Sequence, residues 1–215
     1  MTGRIYKGLG VALVLYSLVY GLLTTVPDLP IIEESIRNLF YHVSMWFAMV
    51  GMMAGSFSNA VGYLRDENLN KDGRSESLAE TGMLFAFLGL FTGMMWAKFT
   101  WGAWWTNDPK LNGSAITILI YLAYFVLRNG IEEPRKKARI SAVYNIFAFV
   151  MMIVFIGILP RMTDSLHPGN GGNPGFNSYD LDNHLRMIFY PAVIGWVLVG
   201  TWIASLRYRI KNLSQ

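Results

Sequence analysis

The chain has 215 residues, of which 53% are hydrophobic and only 15% are charged. An average soluble domain has about one quarter charged residues, so this composition, with its apolar residues in long blocks, indicates an integral membrane protein. The net charge of +4 does not require a nucleic-acid partner, because membrane proteins keep excess Lys and Arg on one side. The absence of cysteine excludes a thiol redox role, a thiolate-bound iron–sulfur cluster and covalent c-type haem attachment.

Six apolar blocks are long enough, or nearly so, to cross about 30 Å of hydrocarbon. The predicted fold is therefore one all-α integral membrane domain over residues 1–215, a bundle of six transmembrane helices. The predicted spans are residues 8–26, 39–63, 78–98, 113–128, 140–160 and 185–206. The fourth block is short, so either its helix begins nearer Pro109 or the bilayer thins around it. The first block is too long for a signal-peptide core and lacks a small-residue cleavage site, which predicts an uncleaved helix.

The distribution of basic residues predicts an orientation. Thirteen of the 18 lie at one side of such a bundle, namely Arg4, Lys7, Arg65, Lys71, Arg74, Arg128, Arg135, Lys136, Lys137, Arg139, Arg207, Arg209 and Lys211. The positive-inside rule then places both termini in the cytoplasm. The outer side would hold residues 27–38, 99–112 and 161–184.

Two polar segments are expected at the cytoplasmic side, residues 64–77 with mixed charges and residues 132–139 with mostly basic ones. Both are interpreted as solvated turns, the second attracted to anionic lipid. The alternative is a docking site for a cytoplasmic partner. Neither segment resembles a phosphate-binding loop.

Tryptophan is concentrated in residues 94–113, which contain four of the seven tryptophans. Trp101, Trp104 and Trp105 are spaced so that a helix would place all three indoles on one side. The prediction is a short surface helix at the outer face, with a flat aromatic side turned towards a large planar apolar group. The alternative is an aromatic belt, because tryptophan is enriched at membrane interfaces.

All three histidines fall on the predicted outer side: His42 near the end of the second span, His167 in a Gly/Pro loop, and His184 before the sixth span. An ionisable residue within a membrane helix is a functional candidate because its burial is costly. Neutral imidazole is a good ligand for haem iron, so one helical and one loop histidine could hold a flat cofactor from two sides. The alternative is an exposed His167 and an interfacial His42 bonded to a backbone carbonyl, and spacing alone does not exclude His184 as a ligand.

Basic residues share this outer surface, and Arg or Lys would pair with the two propionates of haem. They are Arg37, Lys98, Lys110, Arg161 and Arg186. Arg37 precedes His42 by five residues and is expected to lie above it. The alternative is the usual anchoring of helix ends by basic side chains.

The segment W-G-A-W-W-T-N-D-P-K-L-N resembles the tryptophan-rich signature of the WWD haem-handling protein family, and most closely its CcmC-type cytochrome c maturation branch. The match is carried by Trp101, Gly102, Trp104, Trp105, Asp108 and Leu111. R-N-L-F-Y-H-V resembles the family's first histidine motif through Arg37 and His42. S-L-H-P-G resembles its second through Leu166, His167 and Gly169. The resemblance extends over nearly the whole chain.

The resemblance implies that His42 and His167 are axial ligands of a reversibly held haem b, and that the tryptophans cradle the macrocycle. Asp108, which follows the tryptophans, is expected to cap a helix and to face solvent or a partner. The implied role is to present haem to a CcmE-type chaperone for c-type cytochrome maturation. An ATP-binding-cassette complex of CcmA/CcmB type and a small single-helix CcmD-type protein would be neighbours. No acid–base or nucleophile constellation is recognised, so a delivery protein rather than an enzyme is expected.

Asn107, Lys110 and Asn112 depart from the family pattern, which has Trp, Arg and Thr at these places. The D-P-K triplet is closer to the CcsA-type cytochrome c synthase subunits, which usually have more helices. CcsA-type function is therefore one alternative, and a b-type electron carrier is another, although its ligands usually lie on two membrane helices. A transporter ranks third, supported only by Asn59 and Asn145 within the spans.

Overall fold

Long α-helices make up most of the chain in the computed structural model, which describes residues 2–27, 33–167 and 181–213. A 3₁₀ helix, Glu33–Phe40, precedes α2, and a π-helical segment, Ile153–Ile158, joins α5 to α6. The α-helices are α1 (Thr2–Leu23), α2 (His42–Asp66), α3 (Leu69–Trp101), α4 (Pro109–Asn129), α5 (Pro134–Met152), α6 (Leu159–Met162) and α7 (Asn183–Leu213). No strand occurs in these three ranges, which confirms the all-helical prediction.

Five helical segments are long and apolar enough to cross a membrane: α1 from Gly3, α3, α4, the run Pro134–Met162, and α7. The second predicted span, residues 39–63, corresponds to α2, which has the length, 25 residues, but is not among the five. Serines and His42 are among its buried residues. Because α2 packs against α3, α5 and α7, it places part of its surface against protein rather than lipid.

The prediction of a loop at residues 64–77 is wrong. The α2 helix continues to Asp66, and α3 begins at Leu69 with Asn68 as its N-cap, the side chain accepting a hydrogen bond from Asn70 N–H. The charged residues expected to form a solvated turn instead form the first turns of α3. They remain helical because neighbouring helices supply partners for their charges.

Those partners form a charge network between α3, α4 and α7. The guanidinium of Arg128, which is only 5% exposed, donates to both carboxylate oxygens of Asp72 at 2.8 and 2.7 Å. Its Nε lies 2.9 Å from Glu76, whose other oxygen lies 2.9 Å from Lys211. Glu80 accepts from Lys211 at 2.7 Å and from Arg207 at 2.8 Å. The buried guanidinium of Arg128 is tolerated here because it pairs with two carboxylates, those of Asp72 and Glu76.

A polar cluster joins α2, α3 and α5 within the bundle. The side-chain amide of Asn145 donates to the hydroxyls of Ser56 at 2.7 Å and Ser75 at 3.0 Å. The two serines also bond to each other's backbone carbonyls. Asn145, one of two residues considered as evidence for a transport path, therefore acts as an interhelical tie. The other, Asn59, donates to Gly55 O of its own helix.

The helices alternate in direction, so their ends form two groups. The basic end comprises the N-termini of α1, α3 and α5 and the C-termini of α2, α4 and α7. The histidine end comprises the opposite termini together with α6. The described basic residues divide between these ends as the sequence predicted. The α4 helix begins at Pro109, which was one of the two explanations for the short fourth block.

Candidate functional site

The histidine end brings together three separate parts of the chain: the start of α2, the segment from the end of α3 to the start of α4, and the residues after α6. The predicted outer segments 27–38 and 161–184 are only partly described, and Gly169 of the second histidine motif lies outside the described residues. The site is therefore built from the described side chains alone.

The tryptophan segment is not the short surface helix that the sequence predicted. The α3 helix ends at Trp101, and Gly102 follows in the left-handed region with φ of 80°, a common helix termination. Residues 102–108 are non-helical. Asp108 then caps α4, accepting a hydrogen bond from Lys110 N–H at 2.8 Å, with Pro109 at the first turn. The i, i+3, i+4 spacing was misleading because a C-terminal glycine and an N-cap both lie within one short stretch.

The three indoles consequently have different surroundings. The ring of Trp101 stands edge-on to the imidazole of His167, with centroids 4.9 Å apart. Trp104 and Trp105 lie in the turn and are 50% and 41% exposed. Trp105 Nε1 donates to the Asn112 side chain at 3.2 Å, and Asn112 in turn donates to Asn107 at 2.8 Å. The two asparagines that depart from the family pattern are thus paired with each other.

His42 is buried at the first turn of α2 and held by α3. Its Nδ1 lies 2.9 Å from the carbonyl oxygen of Gly89 and 3.1 Å from the hydroxyl of Thr92. A carbonyl oxygen only accepts, so Nδ1 carries the hydrogen and Nε2 carries the lone pair. The indole of Trp96 stands edge-on to the ring at 5.8 Å. This is the arrangement by which a metal-binding histidine is fixed in one tautomer and orientation.

A glycine makes room for that imidazole. A Cβ added at Gly93 would lie 2.6 Å from Cε1 of His42. The close approach of α2 and α3 at this level therefore requires the absence of a side chain.

Asp108 connects the start of α4 to the residues after α6. One carboxylate oxygen accepts from Ser165 Oγ and from Leu166 N–H, each at 2.8 Å. The other lies 2.9 Å from Nδ1 of His167. As at His42, an acceptor beside Nδ1 directs Nε2 to serve as the metal-binding nitrogen.

The expectation that Asp108 faces solvent or a partner is wrong, because the residue is only 2% exposed. Burial by itself would raise the pKa of this carboxyl group. The contacts from His167, Leu166 N–H and the Ser165 hydroxyl outweigh burial and hold the pKa of Asp108 well below its usual range. The capping role that the sequence predicted is confirmed, but the same carboxylate also binds a distant segment.

The two histidines predicted as a pair lie in one neighbourhood. His42 is close enough to both His167 and Lys110 for their charges to interact. On α3, Trp96 contacts the first histidine and Trp101 the second, so one helix supports both imidazoles. Among the described residues, no three His, Cys, Asp or Glu side chains form a group that could hold a bare metal ion. Haem iron, by contrast, can accept two axial imidazoles in addition to the four nitrogens of its macrocycle.

Arg37 differs from its predicted role. Its guanidinium donates to the carbonyls of Gly21 at 3.0 Å and Thr24 at 2.6 Å, at the C-terminal end of α1. It also pairs with Glu34 at 2.6 Å. A cation at carbonyls that lack intrahelical partners satisfies them and complements the helix dipole, so these contacts make Arg37 a link between α1 and the 3₁₀ helix.

Lys110 and Arg161 lie at the same end of the bundle as these two histidines. Lys110 is the second residue after the Asp108 cap, and its charge interacts with those of Asp108 and Arg161. Arg161 lies in α6 and donates to Gly157 O at 2.5 Å. Two cations therefore converge from α4 and α6.

His184 has a different environment from the other two histidines. Its Nε2 is hydrogen-bonded to the hydroxyl of Thr24, and the ring of Tyr20 lies edge-on at 6.1 Å. These contacts attach α7 to α1 and use the nitrogen that a haem ligand would need.

Several residues that contact the two histidines or Asp108 were not predicted from the sequence to do so. They are Trp96, Gly89, Thr92, Gly93 and Ser165. Trp96 was within the tryptophan-rich segment but outside the i, i+3, i+4 set. Gly89 and Gly93 are spaced by four, which on a helix marks a face without side chains. That spacing was the one signal in the sequence that a ring packs against α3.

The chain matches known proteins over most of its length. The sequence profile of the family described as heme exporter protein C matches residues 2–214. The chain is 29% identical over 178 residues to heme exporter protein C of Bradyrhizobium diazoefficiens, covering 82% of this chain and 67% of that protein. It is 27% identical over 143 residues to that of Rhodobacter capsulatus, covering 64% and 57%.

The protein of the same name from Escherichia coli K12 is 22% identical over 180 residues, covering 82% of this chain and 70% of that protein. The matched part thus spans less than two thirds of the Rhodobacter protein's own length. Since the family profile covers nearly every residue of a multi-helix chain, the chain belongs to the heme exporter protein C family.

Proposed function

We propose that this protein binds haem b at its histidine end and delivers it, as reversibly held cargo, for c-type cytochrome maturation. The observation that carries the proposal is the shared arrangement of His42 and His167. Each has Nδ1 next to an oxygen acceptor, which directs Nε2 towards iron. Iron in haem accepts two axial imidazoles, and the chain has no cysteine with which to attach haem covalently.

The two ligands are supported with different strength. His42 rests on a neutral carbonyl inside a helix pair, whereas His167 rests on a carboxylate and lies outside the helices. A carboxylate partner raises the basicity of an imidazole, so Asp108 acts as a positioning residue for His167. A loop-borne ligand can withdraw without disturbing helix packing, which suits a cargo that must leave. This asymmetry favours delivery over a b-type electron carrier that keeps its haem.

The exposed indoles give the site its outward face. Trp104 and Trp105 are about half exposed although their rings are large and apolar, and they follow Trp101, which contacts His167. Such rings suit the flat face or edge of a porphyrin. We assign the propionates to Lys110 and Arg161 in preference to Arg37, because the Arg37 guanidinium already binds α1.

We further infer that α2 is a sixth transmembrane helix, that the basic end faces the cytoplasm, and that the protein lies in the bacterial inner membrane. α2 has the length to cross and lies between helices that do. The family implies a CcmE-type chaperone as receiver and CcmA/CcmB-type and CcmD-type proteins as neighbours. The exposed tryptophans at the histidine end are the surface that such a receiver would approach.

Haem titration of the purified full chain tests the proposal, with single alanine variants of His42, His167 and His184. The wild-type protein should bind one haem with a low-spin, six-coordinate spectrum. His42→Ala and His167→Ala should each lose that spectrum, and His184→Ala should keep it, because His184 contacts Thr24. An unchanged spectrum in His42→Ala or His167→Ala would sink the ligand assignment.

Trp104→Ala separates a haem platform from a membrane anchor. If the indole contacts haem, the variant should bind haem more weakly, and Trp104→Phe should be intermediate because part of the stacking area survives. If the indole is only an anchor, haem affinity should be unchanged in both variants. Phe99→Ala is the matched control, since Phe99 is also an exposed aromatic residue close by.

A further inference from the structure

A cleft lies at the basic end, opposite the haem site, between the first turns of α1 and the last turns of α7. Its volume is about 490 Å³, and it is lined by Gly3, Arg4, Tyr6, Lys7 and Arg209. Small-molecule sites commonly measure about 300–1,000 Å³, so the space suffices for a compact polar group. The cleft is separate from every residue assigned to haem.

Three cations from two helices line this cleft: Arg4 and Lys7 from α1, and Arg209 from α7. In the described ranges, no ion pair joins Arg4, Lys7 or Arg209 to a carboxylate. The nearby acids of α3 are already engaged, since Glu80 binds Arg207 and Lys211, and Glu76 binds Arg128 and Lys211. The cleft therefore concentrates positive charge that the charge network does not offset.

Lys7 is held at the seam between the two helices. Its ammonium lies 5.2 Å from the ring centroid of Trp202 on α7 and 6.0 Å from that of Tyr6. Cation–π attraction at these distances orients the side chain, so the charge is partly fixed before any ligand arrives.

Apolar side chains continue from the cleft along the outer surface of α1. Val11 and Leu15 lie one and two helical turns from Lys7 on the same side of α1, and they are 40% and 54% exposed. In a membrane helix such side chains face acyl chains. A ligand with an anionic head and apolar tails would therefore satisfy both parts of this surface, whereas a soluble anion would use only the cleft.

We propose that this cleft binds the phosphate headgroup of an anionic phospholipid. Arg4 and Arg209 donate to the phosphate oxygens from the two helices, and Lys7 adds a point charge between them. The acyl chains lie along Val11 and Leu15. One lipid thereby bridges α1 and α7, whose backbones are already close because Gly10 and Gly195 lack side chains.

The test is a binding titration of the purified full chain in non-ionic detergent with short-chain phosphatidylglycerol, phosphatidylcholine and inorganic phosphate. The variant Arg4→Gln/Lys7→Gln/Arg209→Gln removes the cleft cations. The matched control, Arg135→Gln/Lys136→Gln/Arg139→Gln, removes the same charge from the same end. Single variants Lys7→Gln and Arg209→Gln keep the test valid if the triple variant folds poorly.

Wild type should prefer phosphatidylglycerol over phosphatidylcholine, and the cleft variant should lose roughly 100-fold in that affinity, about fivefold for each basic residue. Each single variant should lose about fivefold, and the control should bind as wild type does. Equal affinity for the two lipids, or an equal loss in the control, would overturn the proposal. Inorganic phosphate binding as tightly as the lipid would assign the cleft to a soluble anion and overturn it as well.

Discussion

Nδ1 of His167 lies 2.9 Å from a carboxylate oxygen of Asp108, the residue that caps α4. The same carboxylate also accepts from Ser165 and Leu166 N–H, so it fixes the backbone on which His167 sits. The contact joins the two motifs that the sequence presented separately, the tryptophan segment and the second histidine. Replacing Asp108 should therefore first change the position of the His167 imidazole.

Asp108→Asn should lower haem affinity by about 10- to 100-fold, the usual cost of removing a partner behind a metal-binding histidine. Asparagine retains an oxygen that can cap α4, so most of the helix stays intact. Soret titration of the apo-protein measures the change. Asp164→Asn is the matched control, because Asp164 is a nearby exposed carboxylate. This control variant should bind haem as wild type does. Equal affinities in the two variants would contradict the positioning role.

Acid should lower the thermal stability of the apo-protein, because it protonates the Asp108 carboxylate. The pKa of Asp108 is lowered in the folded state, so its ionised form stabilises the fold fully above the unfolded value of about 3.9. That stabilisation is lost only as the pH falls below this value and through the lowered folded pKa. The difference in thermal midpoint between wild type and Asp108→Asn should stay constant from pH 8 to about pH 5 and shrink below about pH 4. A difference that disappears between pH 7 and pH 5 would assign the effect to another group.

Gly93→Ala should displace His42 without removing it. The new methyl group would lie 2.6 Å from Cε1 of the imidazole, closer than non-bonded carbons can approach. We expect a six-coordinate low-spin haem spectrum in wild type and a shift to high spin in the variant. Gly51→Ala on α2 is the control, since its nearest neighbour is Val197 at an ordinary 3.6 Å. A low-spin spectrum in Gly93→Ala would show that the imidazole does not need this space.

Arg128→Met should destabilise the bundle by about 3–5 kcal/mol, because it leaves Asp72 and Glu76 without their buried partner. Arg135→Met should cost less than about 1 kcal/mol, since the Arg135–Glu67 pair is exposed and 3.5 Å long. The free energy of unfolding in mixed micelles, measured by denaturing-detergent titration, compares the two. Similar values for both variants would mean that the Arg128 network does not hold α3, α4 and α7 together.

The orientation predicts which engineered cysteines react in intact cells. A thiol reagent that does not cross membranes should label Asp164→Cys at the histidine end and spare Glu132→Cys at the basic end. Both positions are exposed, and the chain has no native cysteine to interfere. After the membrane is permeabilised, both should react. The reverse pattern in intact cells would invert the topology.

Local sequence was a reliable guide to helix existence and an unreliable one to helix ends. Hydropathy located five spans because each falls in a helix that is long and apolar enough to cross the bilayer. It missed the extension of α3 to Leu69, because the charges in that stretch are neutralised by Arg128, Lys211 and Arg207 from other helices. It also predicted a helix through Trp104, although Gly102 ends α3 before that residue.

The sequence by itself determined the membrane class and the separation of basic residues from histidines, and it predicted the pair His42 and His167, since these depend on composition and motif. Only the tertiary structure decided that Asp108 is buried and that Arg37 binds the end of α1. A lone carboxylate or guanidinium has a lower free energy in water. Burial is stable here because donors or acceptors arrive from segments far away in the chain, and no local pattern encodes their approach.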